Sequence, residues 1–191
     1  MNFLTLNLHQ LINKIADPRK DVLQRIYYDY NTLFHIAPGS SHNHQAWHPH
    51  GYVDHVAECL RINEVTYDSL ERIRPMPFTK GSAAVCLFFH DMEKPFKYAD
   101  PSDSRVSVWH SELQYVIPGY WEHIKKRIIL DLMSKYGFEL SDDEWNALKY
   151  THGEGDDYRK DVRVSTPLAA HVGNCDRWSA RGWPKDGQGL G

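Results

Sequence analysis

The chain has 191 residues, a formal net charge of −3 at pH 7 and an isoelectric point near 6.4. This length is enough for one domain with a substantial hydrophobic core that needs neither disulfides nor structural zinc. The negative charge argues against a protein that binds duplex DNA through a broad basic surface. A small anionic ligand is compatible with this net charge, because a bound metal would supply positive charge locally.

The cysteines and the apolar stretches predict where the protein resides. Cys59, Cys86 and Cys175 lie among apolar residues and form no Cys-x-x-Cys pair, so we expect reduced core residues rather than redox or zinc ligands. The first residues lack a basic leader, and no later stretch approaches the ~20 apolar residues of a membrane span. The sequence therefore predicts a cytoplasmic protein that is not embedded in a membrane.

The first 40 residues predict two amino-terminal helices that pack on the rest of the domain. Apolar residues recur with helical spacing from Leu4 to Ile15, and Asp17-Pro18 has the form of a cap followed by a first-turn proline. The second helix continues to Leu33. We expect residues 41–181 to form the main part of the domain and residues 182–191, with four glycines, to form a poorly ordered tail.

The polar stretch that follows Pro38 and runs to Gly51 contains four histidines and is predicted to be a loop, the histidine-rich loop. Beyond it, the chain has the periodicity of further helices and no strand pattern. The run from Ala83 to Asp91 is apolar nearly all round and predicts a helix at the centre of the domain. The other predicted helices are Tyr52 to about Ile73, Val106 to Val116, Tyr120 to Tyr136, one opened by the capping box Ser141-x-x-Glu144, and one that begins at Thr166-Pro167. The sequence thus predicts an all-α bundle.

Candidate metal ligands recur in order along these helices. His90 and Asp91 end the apolar run, and adjacent imidazole and carboxylate groups can hold a divalent cation if other ligands arrive from elsewhere. His55 precedes this pair in the long helix. Three further candidates follow it, namely His110, His152 and Asp176.

This order resembles the HD-domain superfamily of metal-dependent phosphohydrolases over roughly residues 51–181. The segment His90-Asp-Met-Glu-Lys94-Pro is similar to the His-Asp-x-x-Lys-Pro form of the family motif, and Trp109-His110-Ser-Glu112 is similar to the Gly-His-Glu that often follows it. The resemblance implies a single helical HD domain. It also implies that one metal is held by four residues, His55, His90, Asp91 and Asp176, and that Asp91 bridges to a second metal held by His110 and His152.

The resemblance also implies an activity. We expect hydrolysis of a phosphoester of a nucleotide or nucleotide-derived small molecule by a metal-bridging hydroxide, with His90, Asp91 and Lys94 as catalytic residues. Imidazole-rich ligands favour manganese, iron, cobalt, nickel or zinc over magnesium, and the motif form implies two ions per chain. The expected partner is a small phosphorylated substrate, and a homo-oligomer is left open.

Substrate contacts are expected from residues around this motif. Nucleotidase-type members of the family carry a glutamate where this chain has Lys94. A lysine at this position can contact phosphate or anchor a ligand carboxylate. The alternative is a solvated lysine beside Glu93. Arg177 and Arg181 flank Asp176 and are candidates to bind phosphate oxygens. His44 lies in a loop that resembles a segment of HD-domain nucleases acting on single strands.

Other functions stay open at this point. The first alternative is a single-strand-specific 3′ exonuclease or a cyclic-nucleotide phosphodiesterase, which the histidine-rich loop supports. A di-iron oxygenase of the HD-like fold is the second, and a non-catalytic metal-binding regulator is the third.

Some residue roles have alternatives too. His110 and His152 would be structural or substrate-binding in a one-metal protein, and Glu154 competes with His152. We expect the run Lys125-Lys126-Arg127 to be a solvated helix face. Three glutamates are candidates to orient ligand histidines, namely Glu58, Glu93 and Glu112.

Overall fold

The computed structural model describes residues 7–39 and 48–183, and within these ranges the chain forms α-helices and short 3₁₀ segments but no strand. The all-α prediction is therefore confirmed. The α-helices are α1 (Leu8–Ile12), α2 (Lys20–Asp29), α3 (Asn31–Ile36), α4 (Gly51–Ile73), α5 (Lys80–Phe89), α6 (Glu93–Lys97), α7 (Tyr120–Tyr136), α8 (Asp142–Tyr150) and α9 (Pro167–Arg181). None of these helices is long and apolar enough to cross a membrane.

The amino-terminal part contains three helices where the sequence predicted two. The chain bends at Tyr30, between α2 and α3, and α1 and α3 both pack on α4. The expected cap at Asp17 was wrong, because α2 begins at Lys20. The Asp17 carboxylate instead accepts hydrogen bonds from the backbone amide and the side chain of Arg19. These bonds stabilise the turn that precedes α2.

The centre of the molecule is α5, as its apolar sequence predicted. Nearly all of its residues are buried, and it packs against α4, α8 and α9. Thr79 caps its amino-terminal end, where the hydroxyl accepts a hydrogen bond from the Ser82 amide. The helix ends at Phe89, so His90 and Asp91 lie in the buried turn between α5 and α6.

The predicted helix from Val106 to Val116 is not formed. Two 3₁₀ segments, Ser107–Trp109 and Glu112–Tyr115, replace it, and His110 lies between them with extended backbone. Ser111 interrupts the helix because its hydroxyl accepts from the Leu113 amide as a new cap.

The last two helices approach each other closely, and this contact positions part of the site. A Cβ atom on Gly173 of α9 would lie 2.5 Å from the carbonyl oxygen of Thr151, at the end of α8. Only glycine permits that approach. The next residue, His152, is consequently brought towards Asp176, three residues along α9. The capping box of Ser141 and Glu144 that opens α8 is present as predicted.

Candidate metal centre

Four side chains from three parts of the chain converge in the interior. His55 comes from α4, His90 and Asp91 from the turn after α5, and Asp176 from α9, and each is at most 8% exposed. The two imidazole Nε2 atoms are 3.1 Å apart. Asp176 Oδ1 lies 3.2 Å from His55 Nε2 and 3.6 Å from His90 Nε2, and Asp91 Oδ2 lies 3.5 and 3.4 Å from the same two atoms.

The hydrogen bonds of each histidine fix which ring nitrogen carries the proton. His90 Nδ1 lies 2.7 Å from the carbonyl oxygen of Leu87, which can only accept, so Nδ1 donates. The Ser179 hydroxyl donates to Glu58 Oε2 at 2.7 Å and therefore accepts from His55 Nδ1 at 2.9 Å. When each ring carries a single proton, His55 and His90 therefore both direct an Nε2 lone pair into the cluster.

The inner face of the cluster consequently presents two imidazole lone pairs and two carboxylate oxygens to one another. Such acceptors repel one another unless a cation or a shared proton lies between them, and Lys94 reaches only the Asp91 oxygen. Metal bonds of about 2.0–2.2 Å to nitrogen and oxygen separate neighbouring ligand atoms by about 3–3.6 Å, and the five distances above are 3.1–3.6 Å. Side chains at these separations could hold a divalent metal ion.

The outer oxygens of both carboxylates are directed towards a fifth side chain. His152 Nε2 lies 3.8 Å from Asp91 Oδ1 and 3.6 Å from Asp176 Oδ2. Asp91 Oδ1 is buried and has no hydrogen-bond partner among the described residues. Each carboxylate therefore has one oxygen towards the His55–His90 pair and one towards His152.

Cys59 also belongs to this buried group, although the sequence indicated only a core residue. Suitable ligand atoms of His55, Cys59, His90 and Asp176 all lie within 4.8 Å of one another, so these four residues could hold a metal ion. The Cys59 sulfur is 3.9 Å from Nδ1 and 3.8 Å from Nε2 of His55. Nearly equal distances place it over the ring face, not in line with the Nε2 lone pair. The four-residue spacing from His55 on one helix is the signal that could have revealed this proximity.

The charges in the site shift the acidities of their neighbours. Burial alone would raise the pKa of Asp91 and of Asp176, but the adjacent histidines, and Lys94 beside Asp91, hold both well below the usual range. Burial would lower the pKa of His90, yet the two carboxylates raise it. Burial, followed by the charge of Asp91, raises the pKa of Glu93 to about 7. Glu93 therefore carries less than a full negative charge beside Asp91 near pH 7.

Two lysines contact the centre. The Lys94 ammonium group donates to Asp91 Oδ2 and to the carbonyl oxygen of Gly39, with its side chain 18% exposed. It thus contacts a predicted ligand and does not form the solvated pair with Glu93, which is buried. Lys125 was expected on a solvated face, but its Nζ donates to the His90 carbonyl oxygen at 3.0 Å, so that expectation was wrong. Helix periodicity carried no signal for this contact between α7 and the turn after α5.

His110 and His152 differ in their relation to the cluster. His152 is brought to both carboxylates, whereas His110 Nε2 donates to the Phe96 carbonyl oxygen at 2.8 Å and its ring packs on Trp121. Among the described residues His110 makes no hydrogen bond or ion pair with the cluster, and its second-metal role stays a prediction. Glu154, the alternative to His152, binds the Ser165 amide and hydroxyl and stabilises a turn.

The remaining candidates lie around the centre. Arg177 and Arg181 are exposed on α9, and Arg177 Nε donates back to the Gly173 carbonyl oxygen. Glu58 supports His55 through Ser179, as proposed for an orienting residue, while Glu112 is exposed. His44 falls outside the described residues.

No protein-family model matches the chain, and neither a curated protein nor a solved structure matches it. Its chemistry is therefore argued from the geometry of the site.

Proposed function

We propose that this chain is an HD-domain-type, metal-dependent phosphohydrolase that cleaves a phosphoester of a nucleotide or a nucleotide-derived small molecule. The observation that carries the proposal is the inner face of the cluster, where His55 and His90 direct lone pairs at Asp91 and Asp176 over 3.1–3.6 Å. The order of these residues along the chain is that of the family motif.

The division of the carboxylate oxygens supports a second ion. Asp91 and Asp176 each direct one oxygen to the His55–His90 pair and the other to His152, as carboxylates shared between two cations would. In the proposed two-metal form, His110 is the further ligand that the motif supplies. Its Nδ1 is the nitrogen left to bind, because Nε2 donates to Phe96.

A bound transition metal would act as a Lewis acid towards phosphoryl oxygens and lower the pKa of a coordinated water. The chain's own residues provide the setting. Glu58 and Ser179 orient His55, the Leu87 carbonyl orients His90, and Lys94 holds Asp91 while it supplies positive charge for a phosphate. Burial keeps bulk water from His55 and His90, which strengthens these interactions.

The proposal is tested with protein loaded separately with manganese, iron, cobalt, nickel, zinc and magnesium. Each form is incubated with nucleoside mono-, di- and triphosphates, cyclic nucleotides and short single-stranded oligonucleotides, and the products are separated by chromatography. We expect phosphate release from small nucleotides, and loss of release in His90→Ala. Shortening of oligonucleotides or opening of cyclic nucleotides alone would replace the proposal with the alternative phosphodiesterase activities. Oxygen consumption with iron and no phosphoester cleavage would contradict it in favour of an oxygenase.

A further inference from the structure

A groove between α7 and α8 is connected to the candidate metal centre through Lys125. Its volume is about 530 Å³, within the range of pockets that enclose small ligands. The buried side chains of Ile129 and Leu148 contribute apolar surface to it. Its other lining includes three lysines and two aromatic residues, namely Lys125, Lys126, Lys149, Trp145 and Tyr150.

Two residues connect the groove to the centre. Lys125 Nζ donates to the carbonyl oxygen of His90, 3.0 Å away, at the turn that holds the ligands. At the other wall, Tyr150 is the last residue of α8, and His152 follows it by two positions. A ligand in the groove would therefore have one end near the turn that carries His90.

The two aromatic rings of the groove are half-buried, and a lysine ammonium group lies near each of them. Lys126 Nζ lies 5.3 Å from the centre of the Trp145 ring, and Lys149 Nζ lies 4.8 Å from the centre of the Tyr150 ring. A flat ring beside an ammonium group suits a ligand that combines a planar base with an anion, because the base stacks while the lysine binds the anion.

The net charge of the groove limits how anionic this ligand is. Glu122 and Asp142 also line it, and Lys149 is paired with Asp157 at 2.6 Å. Carboxylates beside the lysines offset much of the positive charge and would repel a long phosphate backbone. This balance favours a small ligand with one phosphate over a nucleic-acid strand.

We infer that the α7–α8 groove is the base-binding subsite of the centre, and that it takes a nucleoside monophosphate whose base stacks on Trp145 and whose phosphate extends past Lys125 towards Asp91. This inference rests on the proposed function for the identity of the reacting group. It makes Trp145 a specificity residue that contacts the substrate remote from the reacting atoms.

The test measures equilibrium binding to metal-loaded, full-length protein by calorimetry. The probes are nucleoside 5′-phosphonates, whose carbon–phosphorus bond is not hydrolysed, and an alkyl phosphonate that lacks a base. We expect the nucleoside phosphonate to bind more tightly than the alkyl phosphonate. Trp145→Ala should weaken its binding by roughly 5- to 150-fold, the effect of one lost stack, while Trp145→Phe retains most of it. Trp183→Ala, which changes another half-exposed tryptophan outside the groove, is the matched control.

The results separate this inference from the proposed function. Equal affinity of Trp145→Ala and wild type, or equal binding of the two phosphonates, overturns the groove as a base site even if nucleotides are hydrolysed. Tighter, Trp145-dependent binding of a single-stranded oligonucleotide overturns the choice of a small ligand. Trp145-dependent binding of nucleoside phosphonates without any phosphohydrolysis retains the subsite and rejects the activity.

Discussion

At the scale of single residues, a few hydrogen bonds determine the direction of the His55 and His90 rings. The Leu87 carbonyl and the Ser179–Glu58 pair each hold an Nδ1 proton, so both Nε2 lone pairs are directed inward. The sequence, through its resemblance to a family motif, predicted that these two histidines and both aspartates lie at one site. It could not predict the supporting serine, because a contact over 124 residues leaves no periodic signal in a single chain.

Lys94 provides a test of the charge beside Asp91. We expect Lys94→Ala to keep its metal but to lose roughly 2–4 kcal/mol of transition-state stabilisation, the effect of one preorganised electrostatic group. The measurement is kcat/KM at matched metal occupancy. The control is Lys97→Ala, which changes an exposed lysine on the same short helix. A loss below about 1 kcal/mol, the scale of an exposed ion pair, would remove Lys94 from the site.

His152 provides a test of the second ion. His152→Ala should leave about one metal per chain and lower turnover by orders of magnitude, because its imidazole faces only the outer carboxylate oxygens. His110→Ala should do the same if its Nδ1 completes that position. The test measures the metal content and the turnover rate of both variants. If both keep two metals and near-normal rates, neither histidine is a metal ligand, and the site consists of His55, His90, Asp91 and Asp176.

At the scale of elements, the sequence predicted the long helices well and the irregular segments poorly. The apolar run of α5 and the capping box of α8 were sufficient to place those helices. The segment around His110 had helical spacing too, but Ser111 caps a separate 3₁₀ turn and Val108 and Tyr115 are exposed. Apolar residues at helical spacing indicate a helix only where the apolar face is buried against the rest of the fold. In this segment the apolar residues are exposed, so burial does not stabilise a helix.

The contact between α8 and α9 leads to a prediction at Gly173. Gly173→Ala would place a Cβ 2.5 Å from the Thr151 carbonyl oxygen, so the helices must separate. We expect a loss of about 1–3 kcal/mol in the free energy of unfolding, as for other overpacked sites, and weaker binding of the second metal that is proposed to lie at His152. Denaturant unfolding and metal titration measure both effects. Asn174→Ala, at the exposed next position, serves as the control, and wild-type stability and affinity in Gly173→Ala would refute the close-approach argument.

At the scale of the whole molecule, a partly buried ion pair joins the amino-terminal region to α8. The Arg19 guanidinium donates to both carboxylate oxygens of Glu144, at 2.8 and 2.7 Å. Ser82 at the start of α5 donates to the same carboxylate. The sequence showed Glu144 only as a member of a capping box; its partner 125 residues away is set by tertiary packing.

This network makes the free energy of unfolding depend on pH. Burial alone would raise the pKa of Glu144, but hydrogen bonds from Arg19, Ser82 and Ser141 lower it. A carboxyl with a lowered folded-state pKa stabilises the protein above its ordinary value near 4.5, and the contribution is lost as pH falls through the folded value. We expect Glu144→Gln to cost about 1–3 kcal/mol at pH 7 and less at pH 3, because Arg19 keeps Asp17 as its second partner. Denaturant unfolding at both pH values checks this, with Glu139→Gln as an exposed control; a pH-independent cost would contradict the linkage.

The metal content of Asp91→Ala is the most direct test of the central claim, because this carboxylate contacts both imidazoles of the inner face and is directed towards His152 with its other oxygen. Protein reconstituted with manganese, cobalt or zinc and dialysed is analysed by mass spectrometry, after circular dichroism confirms that the variant is folded. We predict stoichiometric metal in the wild type and essentially none in Asp91→Ala. Two equivalents of metal retained by Asp91→Ala, or none bound by the wild type, would contradict a metal centre built on this residue.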